Sequence, residues 1–142
     1  MILSDKRILE EIENGTIITC AVTIVLSGNN PYDIIKNENN RFAFIDDNLN
    51  NLNPENSSTI FMMASTNYSK ILDWQGKGEI PACQKEKLIE LINTAHQKGK
   101  KVRLWASPEN VIVWEELLNF GVDFINTDNL QEFKEFFIYK KQ

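Results

Sequence analysis

Two residues of the segment KVRLWA, Arg103 and Trp105, have side chains suited to holding a ligand. An arginine guanidinium presents a planar fork of donors to oxyanions, and an indole offers a flat apolar surface. These residues alternate with Val102 and Leu104, and alternate residues of a β-strand share a face. We therefore expect Arg103 and Trp105 to point toward a binding site while the two aliphatic residues pack against helices. The structural alternative is a buried arginine paired with Asp46 or Asp128, and both descriptions can hold together.

Three further residues complete the predicted substrate-binding set: Asn67, Trp74 and Asn126. Asn67 and Asn126 each follow an apolar segment, where an amide could hydrogen-bond a ligand. Trp74 lies in a stretch without clear periodicity between residues 68 and 81, and a loop of that length inside a compact domain is usually functional. Its ring could pack over a substrate or simply cover the mouth of the site. Asp128 is interpreted as a helix cap rather than a ligand.

Acidic and imidazole groups that could carry catalysis are few. Asp46 and Asp47 could bind a divalent cation or cap the next element, and no further oxygen ligand lies nearby in the sequence. His96, the single histidine, lies near a predicted helix end, where a surface or capping role is favoured. The sequence thus predicts no catalytic residue and no metal site.

The stretch from Lys101 to Asp128 reads as strand, helix, strand and the start of another helix. Its first helix is predicted to begin at the cap Ser107 and to end at Gly121. Val122 to Ile125 forms the next strand, and Thr127 or Asp128 caps the last helix. Strands joined through such a helix are parallel neighbours in a right-handed crossover, and ligands bind at their carboxyl ends.

Hydrophobic periodicity predicts the remaining elements. We expect helices over Ser4–Asn14, Gln84–Lys98 and Asn129–Tyr139, and strands over Ile17–Leu26, Arg41–Asp46 and Ile60–Ala64. The first of these strands is nearly continuously apolar, which is typical of a strand covered on both faces. The last helix presents Leu130, Phe133, Phe136 and Phe137 as a core-packing stripe. The fold class predicted from this alternation is α/β with parallel β/α units.

The closing segment GVDFINTDNLQEFKEFF resembles the last strand and helix of the glycerophosphodiester phosphodiesterase family, with its Gly-Val-Asp, apolar pair and Thr-Asp. VRLWAS is similar to the preceding strand of that family. Together with FAFIDD, ASTNYSKILDWQGKG and AHQKGKKVRLWASPEN, the likeness extends to a branch that also resembles phosphatidylinositol-specific phospholipase C. It runs from about Gly15 to Phe137.

The resemblance implies an eight-stranded TIM-type barrel, which typically needs about 250 residues. The 142 residues are therefore predicted to form a single partial domain, the C-terminal half of such a barrel. The implied parent activity is hydrolysis of glycerol- or inositol-linked phosphodiesters in lipid metabolism. The family's catalytic histidines have no counterparts here, so this chain is expected to be inactive alone. A complete member could use Ca²⁺ or Mg²⁺, while no cofactor is predicted for this chain. The alternatives are a non-catalytic binding or structural module and a small open α/β domain.

Composition narrows the choice of partners. The formal charge of -5 argues against nucleic acid, because phosphate backbones need clustered cations. No apolar run is long enough to predict a transmembrane segment. The resemblance implies that the ligands are small phosphodiesters or lipid head groups, and nothing in the composition indicates a compartment. A half barrel would also leave an apolar face and unpaired strand edges in water, which predicts self-association through that face.

Overall fold

The computed structural model describes residues 9–14 and 16–140. Its strands are β1 (Glu11–Glu13), β2 (Thr16–Ile18), β3 (Ile24–Leu26), β4 (Ala43–Asn48), β5 (Met63–Asn67), β6 (Lys101–Trp105) and β7 (Phe124–Ile125). Its α-helices are α1 (Tyr32–Asn37), α2 (Ala82–Gln97), α3 (Val111–Asn119) and α4 (Leu130–Lys140), and short 3-10 turns lie at Leu49–Asn51 and Tyr68–Lys70.

Five strands form one curled sheet in the order β3-β4-β5-β6-β7, and every neighbouring pair is parallel. The remaining two, β1 and β2, form a separate antiparallel pair. The predicted α/β class is thus confirmed, as is the parallel relation of β6 and β7. Helices α1, α2 and α3 connect β3 to β4, β5 to β6 and β6 to β7, while a 3-10 turn follows β4. Because the strands are parallel, the carboxyl ends of β3 to β6 lie at one edge.

The main core lies between the sheet and the two long helices. Val102 and Leu104 of β6 are fully buried and pack with Leu88 and Ile92 of α2 and Leu117 of α3. Alternate residues of β6 are apolar and face the helices, and each helix presents an apolar stripe to them. The helix predicted over Gln84–Lys98 is confirmed as α2, which buries Leu88, Ile92 and Ala95.

The predicted N-terminal elements are wrong where the structure describes them. A helix was expected over Ser4–Asn14, yet Glu11–Glu13 is a strand paired with Thr16–Ile18; residues 4–8 lie outside the described residues. The single strand expected over Ile17–Leu26 is broken into β2 and β3. Ile17 and Val22 are exposed, so this stretch is not covered on both faces, and β-branched composition alone did not fix its pairing.

Two central strands lie further along the chain than predicted. Arg41–Asp46 becomes Ala43–Asn48, and Ile60–Ala64 becomes Met63–Asn67. Parallel pairing sets these bounds, because Asp46, Asp47 and Asn48 align with Met63, Ala64 and Ser65. The polar triplet 65–67 therefore belongs to β5 instead of following it.

The two ends of α3 show one correct prediction and one error. Gly121 has φ 97° directly after the C-cap Phe120 of α3, as expected for a left-handed helix end. At the other end Asn110, not Ser107, is the cap, and its Oδ1 accepts a hydrogen bond from Val113 N at 3.0 Å. The predicted core stripe of α4 is also wrong in part, because Leu130 is 71% exposed and α4 has no buried residue.

Candidate functional site

A polar cavity of about 360 Å³ lies at the carboxyl ends of β3 to β6; we call it the rim pocket. It is lined by Ser27, Gly28, Asp46, Asp47, Asn48, Ser65, Thr66, Asn67, Lys70, Arg103 and Trp105. Each group of lining residues comes from a strand end or from the turn after it. The parallel sheet therefore gathers residues that are far apart in sequence, which is why ligands bind at this edge of such folds.

Asp46 is the buried acid of the rim pocket. Its side chain is 6% exposed, and its Oδ2 accepts a hydrogen bond from Ser65 Oγ and lies 3.9 Å from Arg103 Nη2. Its Oδ1 is buried and has no hydrogen-bond partner among the described residues. Burial raises the pKa of Asp46, although the Ser65 hydrogen bond and the charge of Arg103 oppose the shift. The carboxyl group is thus held in surroundings that disfavour its ionised form.

Arg103 points to the concave side of the sheet, as predicted, while Val102 and Leu104 point to the helices. The predicted alternative, an arginine near Asp46, also holds, although 3.9 Å is too long for a direct hydrogen bond. Its Nε is buried without a partner among the described residues. Trp105 lies two residues on and leaves 40% of its surface exposed at the pocket. A cation and an aromatic ring therefore share one wall of the rim pocket.

Asp47 has a structural partner that the sequence did not predict. Its Oδ2 forms a salt bridge with Lys100 Nζ, whose side chain is fully buried, and Asn56 donates to its Oδ1 at 3.1 Å. Lys100 Nζ also lies 5.2 Å from the ring centre of Phe61. Asp47 therefore has a structural role as the partner of a buried cation. The alternation of a β-strand could have predicted different surroundings for Asp46 and Asp47, since adjacent residues face opposite sides of a sheet.

Hydrogen-bonding groups line the rest of the pocket. Asn67 Oδ1 already accepts from Ser69 N and Oγ, each at 2.9 Å, and Asn48 Oδ1 accepts from Asn50 N at 3.0 Å. Within residues 9–14 and 16–140 no three His, Cys, Asp or Glu side chains cluster as metal ligands do. The pocket is lined by carboxylate, amide, hydroxyl and guanidinium groups, which can hydrogen-bond a polar organic ligand.

Two predicted site residues lie elsewhere. Trp74 is 8% exposed in the core, and its Nε1 donates to the carbonyls of Lys77 and Gly78 at 3.1 Å. Asn126 lines the second cavity described below, next to Arg103. The structure brings Asn67, Arg103 and Trp105 together in the rim pocket and leaves Trp74 outside it.

We call the concave face of the sheet the inner face. A larger cavity of about 730 Å³ lies on it. It is lined by Glu10, Thr23, Val25, Met62, Met63, Lys101, Arg103, Phe124, Ile125 and Asn126. Thr23 Oγ1 donates a hydrogen bond to Glu10, which is buried. Arg103 borders both cavities, so the rim pocket opens beside the inner face.

His96 lies away from both cavities, at the amino ends of the strands. Its Nε2 is 2.7 Å from Asp123 Oδ2, which also accepts from Val102 N at 2.8 Å. Burial alone would raise the pKa of Asp123, but hydrogen bonds from Lys101, Val102 N and His96 outweigh it and lower that pKa. Asp123 thus ties α2, β6 and the start of β7 together.

No family model and no solved structure matches this chain. It is similar to three yeast proteins that each carry the name altered inheritance of mitochondria protein 6. The relative from Eremothecium gossypii is 26% identical over 133 residues, 81% of this chain and 34% of that protein. The Candida glabrata relative is 28% identical (85% and 35%), and the Saccharomyces cerevisiae relative is 27% identical (84% and 37%). The chain spans about a third of the length of the curated relatives it matches.

These relatives overturn the predicted identification. Their shared name is not that of a glycerophosphodiesterase or a phospholipase C-like protein, so the predicted family, its hydrolase activity and its role in lipid metabolism are wrong. Residues of the sequence motif that suggested this family stabilise the fold. Asp123 anchors β6, and Thr127 Oγ1 accepts a hydrogen bond from Asn129 N at 3.0 Å just before α4. In the described part of the chain, no helix has the length and apolar character needed to cross a membrane.

Proposed function

We propose that the rim pocket binds a small, neutral, polyhydroxylated molecule. The observation that carries the proposal is the Asp46–Arg103 pair, in which one carboxylate oxygen and the guanidinium Nε lack partners among the described residues. A hydroxyl group both donates and accepts hydrogen bonds, so one hydroxyl can satisfy an acceptor and a donor together. Buried polar atoms without partners cost stability, and a ligand that pairs them regains it.

The other walls of the pocket support the same ligand class. Trp105 offers a half-exposed ring to the C–H face of a cyclic polyol, as aromatic residues do in many binding sites. Asn67 and Thr66 add amide and hydroxyl groups beside it. Asp47 is neutralised by Lys100, and Asp46 is balanced by Arg103. The local charges therefore favour a neutral molecule over a strongly charged one.

Calorimetric titration with a panel of monosaccharides and cyclic polyols tests this proposal. We expect one or more to bind, and we expect Arg103→Gln and Trp105→Ala each to weaken binding roughly tenfold, about 1.4 kcal/mol. Ile112→Ala is the matched control, since Ile112 is exposed on α3 outside the rim pocket. A panel without any binder, or unchanged affinity in both rim variants, would show that the proposal is wrong.

We also propose that a protein carrying this chain contributes to mitochondrial inheritance. The support is the name printed for the yeast relatives, together with the 81–85% of this chain that the three alignments cover. Deleting the encoding gene in its host should reduce the fraction of daughter cells that receive normal mitochondria. Reintroduction of the gene should restore that fraction, and the Arg103→Gln form should restore less. Normal inheritance in the deletion strain would contradict the proposal.

At the level of the fold, we propose that the curled sheet is the C-terminal half of a TIM-type barrel and that its inner face is an association surface. The support is the all-parallel order of the sheet and its two edges, β3 and β7, each of which pairs with a single strand among residues 9–14 and 16–140. Ile24 and Phe124 on those edges are both exposed. Apolar residues in this position call for a covering surface.

A further inference from the structure

We infer that Ser65 is a positioning residue of the rim pocket, whose hydroxyl group prevents Arg103 from closing onto Asp46 and so leaves both groups available to a ligand. The inference deepens the ligand binding proposed above and rests on it. Ser65 belongs to β5, the central strand of the sheet, which lies between the strands that carry the two charged groups.

The strand register makes Ser65 a neighbour of both charged residues. It lies directly opposite Arg103 of β6 and opposite Asn48 of β4. Asp46 precedes Asn48 by two residues, so its side chain is on the same face of the sheet as Asn48 and Ser65. The side chains of Asp46, Ser65 and Arg103 accordingly line the rim pocket together.

The Ser65 hydroxyl group and the Arg103 guanidinium group approach the same carboxylate oxygen. Ser65 Oγ donates a hydrogen bond to Asp46 Oδ2. Arg103 Nη2 lies 3.9 Å from that oxygen, beyond the hydrogen-bonding range of about 2.7–3.2 Å. The hydroxyl group thus occupies a hydrogen-bonding position on Oδ2 that the guanidinium group would otherwise take.

A direct ion pair is the arrangement that the unpartnered atoms of these residues favour. Arg103 Nε and Asp46 Oδ1 both lack partners among the described residues. Through Nε and Nη2 together, a guanidinium group can hold both oxygens of one carboxylate in a bidentate pair. The Arg103 side chain is 29% exposed and has several rotatable bonds, so it can reach this arrangement without movement of the backbone. The open pair therefore needs a group that keeps it open, and the Ser65 hydroxyl is in the position to do so.

The open pair and a closed pair differ in what they offer to a ligand. In the open pair, one ligand hydroxyl can donate to Asp46 Oδ1 and accept from Arg103 Nε. In a closed pair these two atoms bind each other, and a ligand must first break a charge-assisted contact. Ser65 therefore preorganises the rim pocket for binding.

The pKa of Asp46 tests the inference without a ligand. Burial raises that pKa, the Ser65 hydroxyl and the charge of Arg103 lower it, and the charge of Asp47 raises it. Loss of a hydrogen-bond donor alone would raise the pKa further, whereas closure of Arg103 onto the carboxylate would lower it. In Ser65→Ala we therefore expect carbon-13 NMR titration to give a lower pKa for Asp46 than in the unmodified chain. The backbone N–H of Ser65, which also bonds to this carboxyl group, is present in both proteins.

A second background separates the two effects. Arg103→Gln has no cation that can close onto the carboxylate, so adding Ser65→Ala to it should raise the pKa of Asp46. Ser57→Ala is the matched control and should leave that pKa unchanged, because the Ser57 hydroxyl contacts Thr59 at the surface and does not line the rim pocket. A higher or unchanged pKa in Ser65→Ala, or an equal fall in the Arg103→Gln background, would overturn the inference. If circular dichroism shows Ser65→Ala unfolded, Ser65→Cys replaces it with the same expected fall, because a thiol is only a weak donor.

Calorimetric titration with the panel of monosaccharides and cyclic polyols extends the test to binding. Ser65→Ala should weaken binding roughly tenfold. Ser65→Thr restores a hydroxyl group at a strand position that suits threonine, and it should bind as tightly as the unmodified chain. Equal weakening in both variants counts against the inference. If no member of the panel binds the unmodified chain, the ligand proposal is wrong, and the pKa comparison still decides whether Ser65 keeps the pair open.

Discussion

Asp46 and Asp47 are adjacent in β4 and have opposite surroundings, because consecutive strand residues face opposite sides of a sheet. Asp46 faces Arg103 on the concave side, with one oxygen unpartnered among the described residues. Asp47 is fixed by Lys100 and Asn56. One acid is thus available to a ligand and the other holds the fold together.

The raised pKa of Asp46 predicts a pH effect on stability. A carboxyl whose pKa is higher in the folded state contributes fully below its unfolded pKa and loses that contribution as pH rises through the folded value. Asn at this position cannot ionise. As pH rises from acid to neutral, the unmodified chain should therefore lose unfolding free energy relative to Asp46→Asn. Urea unfolding of both proteins across this range measures the difference. A difference independent of pH would contradict the assignment.

The buried pair of Lys100 and Asp47 predicts a large, non-additive effect. Lys100→Met leaves a buried carboxylate without its cation and should cost about 3–5 kcal/mol of unfolding free energy. Lys100→Met combined with Asp47→Asn removes both charges and should recover much of that loss. Denaturant unfolding of the two single variants and the double variant measures the coupling, and purely additive losses would exclude it.

At the scale of elements, α3 is capped by Asn110 and not by the residue that the sequence favoured. Asn110→Ala removes the acceptor for Val113 N and should cost about 1 kcal/mol. Ser107→Ala is the matched control, because Ser107 Oγ is buried without a partner among the described residues and its loss should cost little. Thermal unfolding compares the two, and a larger loss in Ser107→Ala would reverse the assignment.

At the scale of the whole molecule, helices cover one side of the sheet and the inner-face cavity lies on the other. The association surface proposed for the inner face predicts that the melting temperature rises with chain concentration, because association stabilises the folded state alone. Calorimetry at several concentrations measures this dependence. Phe124→Glu should abolish it and Tyr139→Glu should retain it. A melting temperature independent of concentration in the unmodified chain would exclude dissociation-linked unfolding.

The sequence alone determined the elements with strong periodicity. The apolar stripe of α2, the left-handed end at Gly121, the alternation in β6 and the parallel crossover to β7 depend on local geometry, which each short segment carries in its own residues. The proximity of Asn67, Arg103 and Trp105 followed from that topology, since carboxyl ends of parallel strands meet at one edge.

Only the tertiary structure decided the rest. The bounds of β4 and β5, the pairing of Glu11–Glu13 with Thr16–Ile18, and the core position of Trp74 depend on which strand or helix lies opposite. The partners of Asp47 and Asp123 are likewise distant in sequence. Contacts of this kind form only when the whole chain packs, so no local sequence pattern predicts them. The motif around Asp123 therefore suggested a catalytic family, whereas the structure shows Asp123 linking α2, β6 and β7.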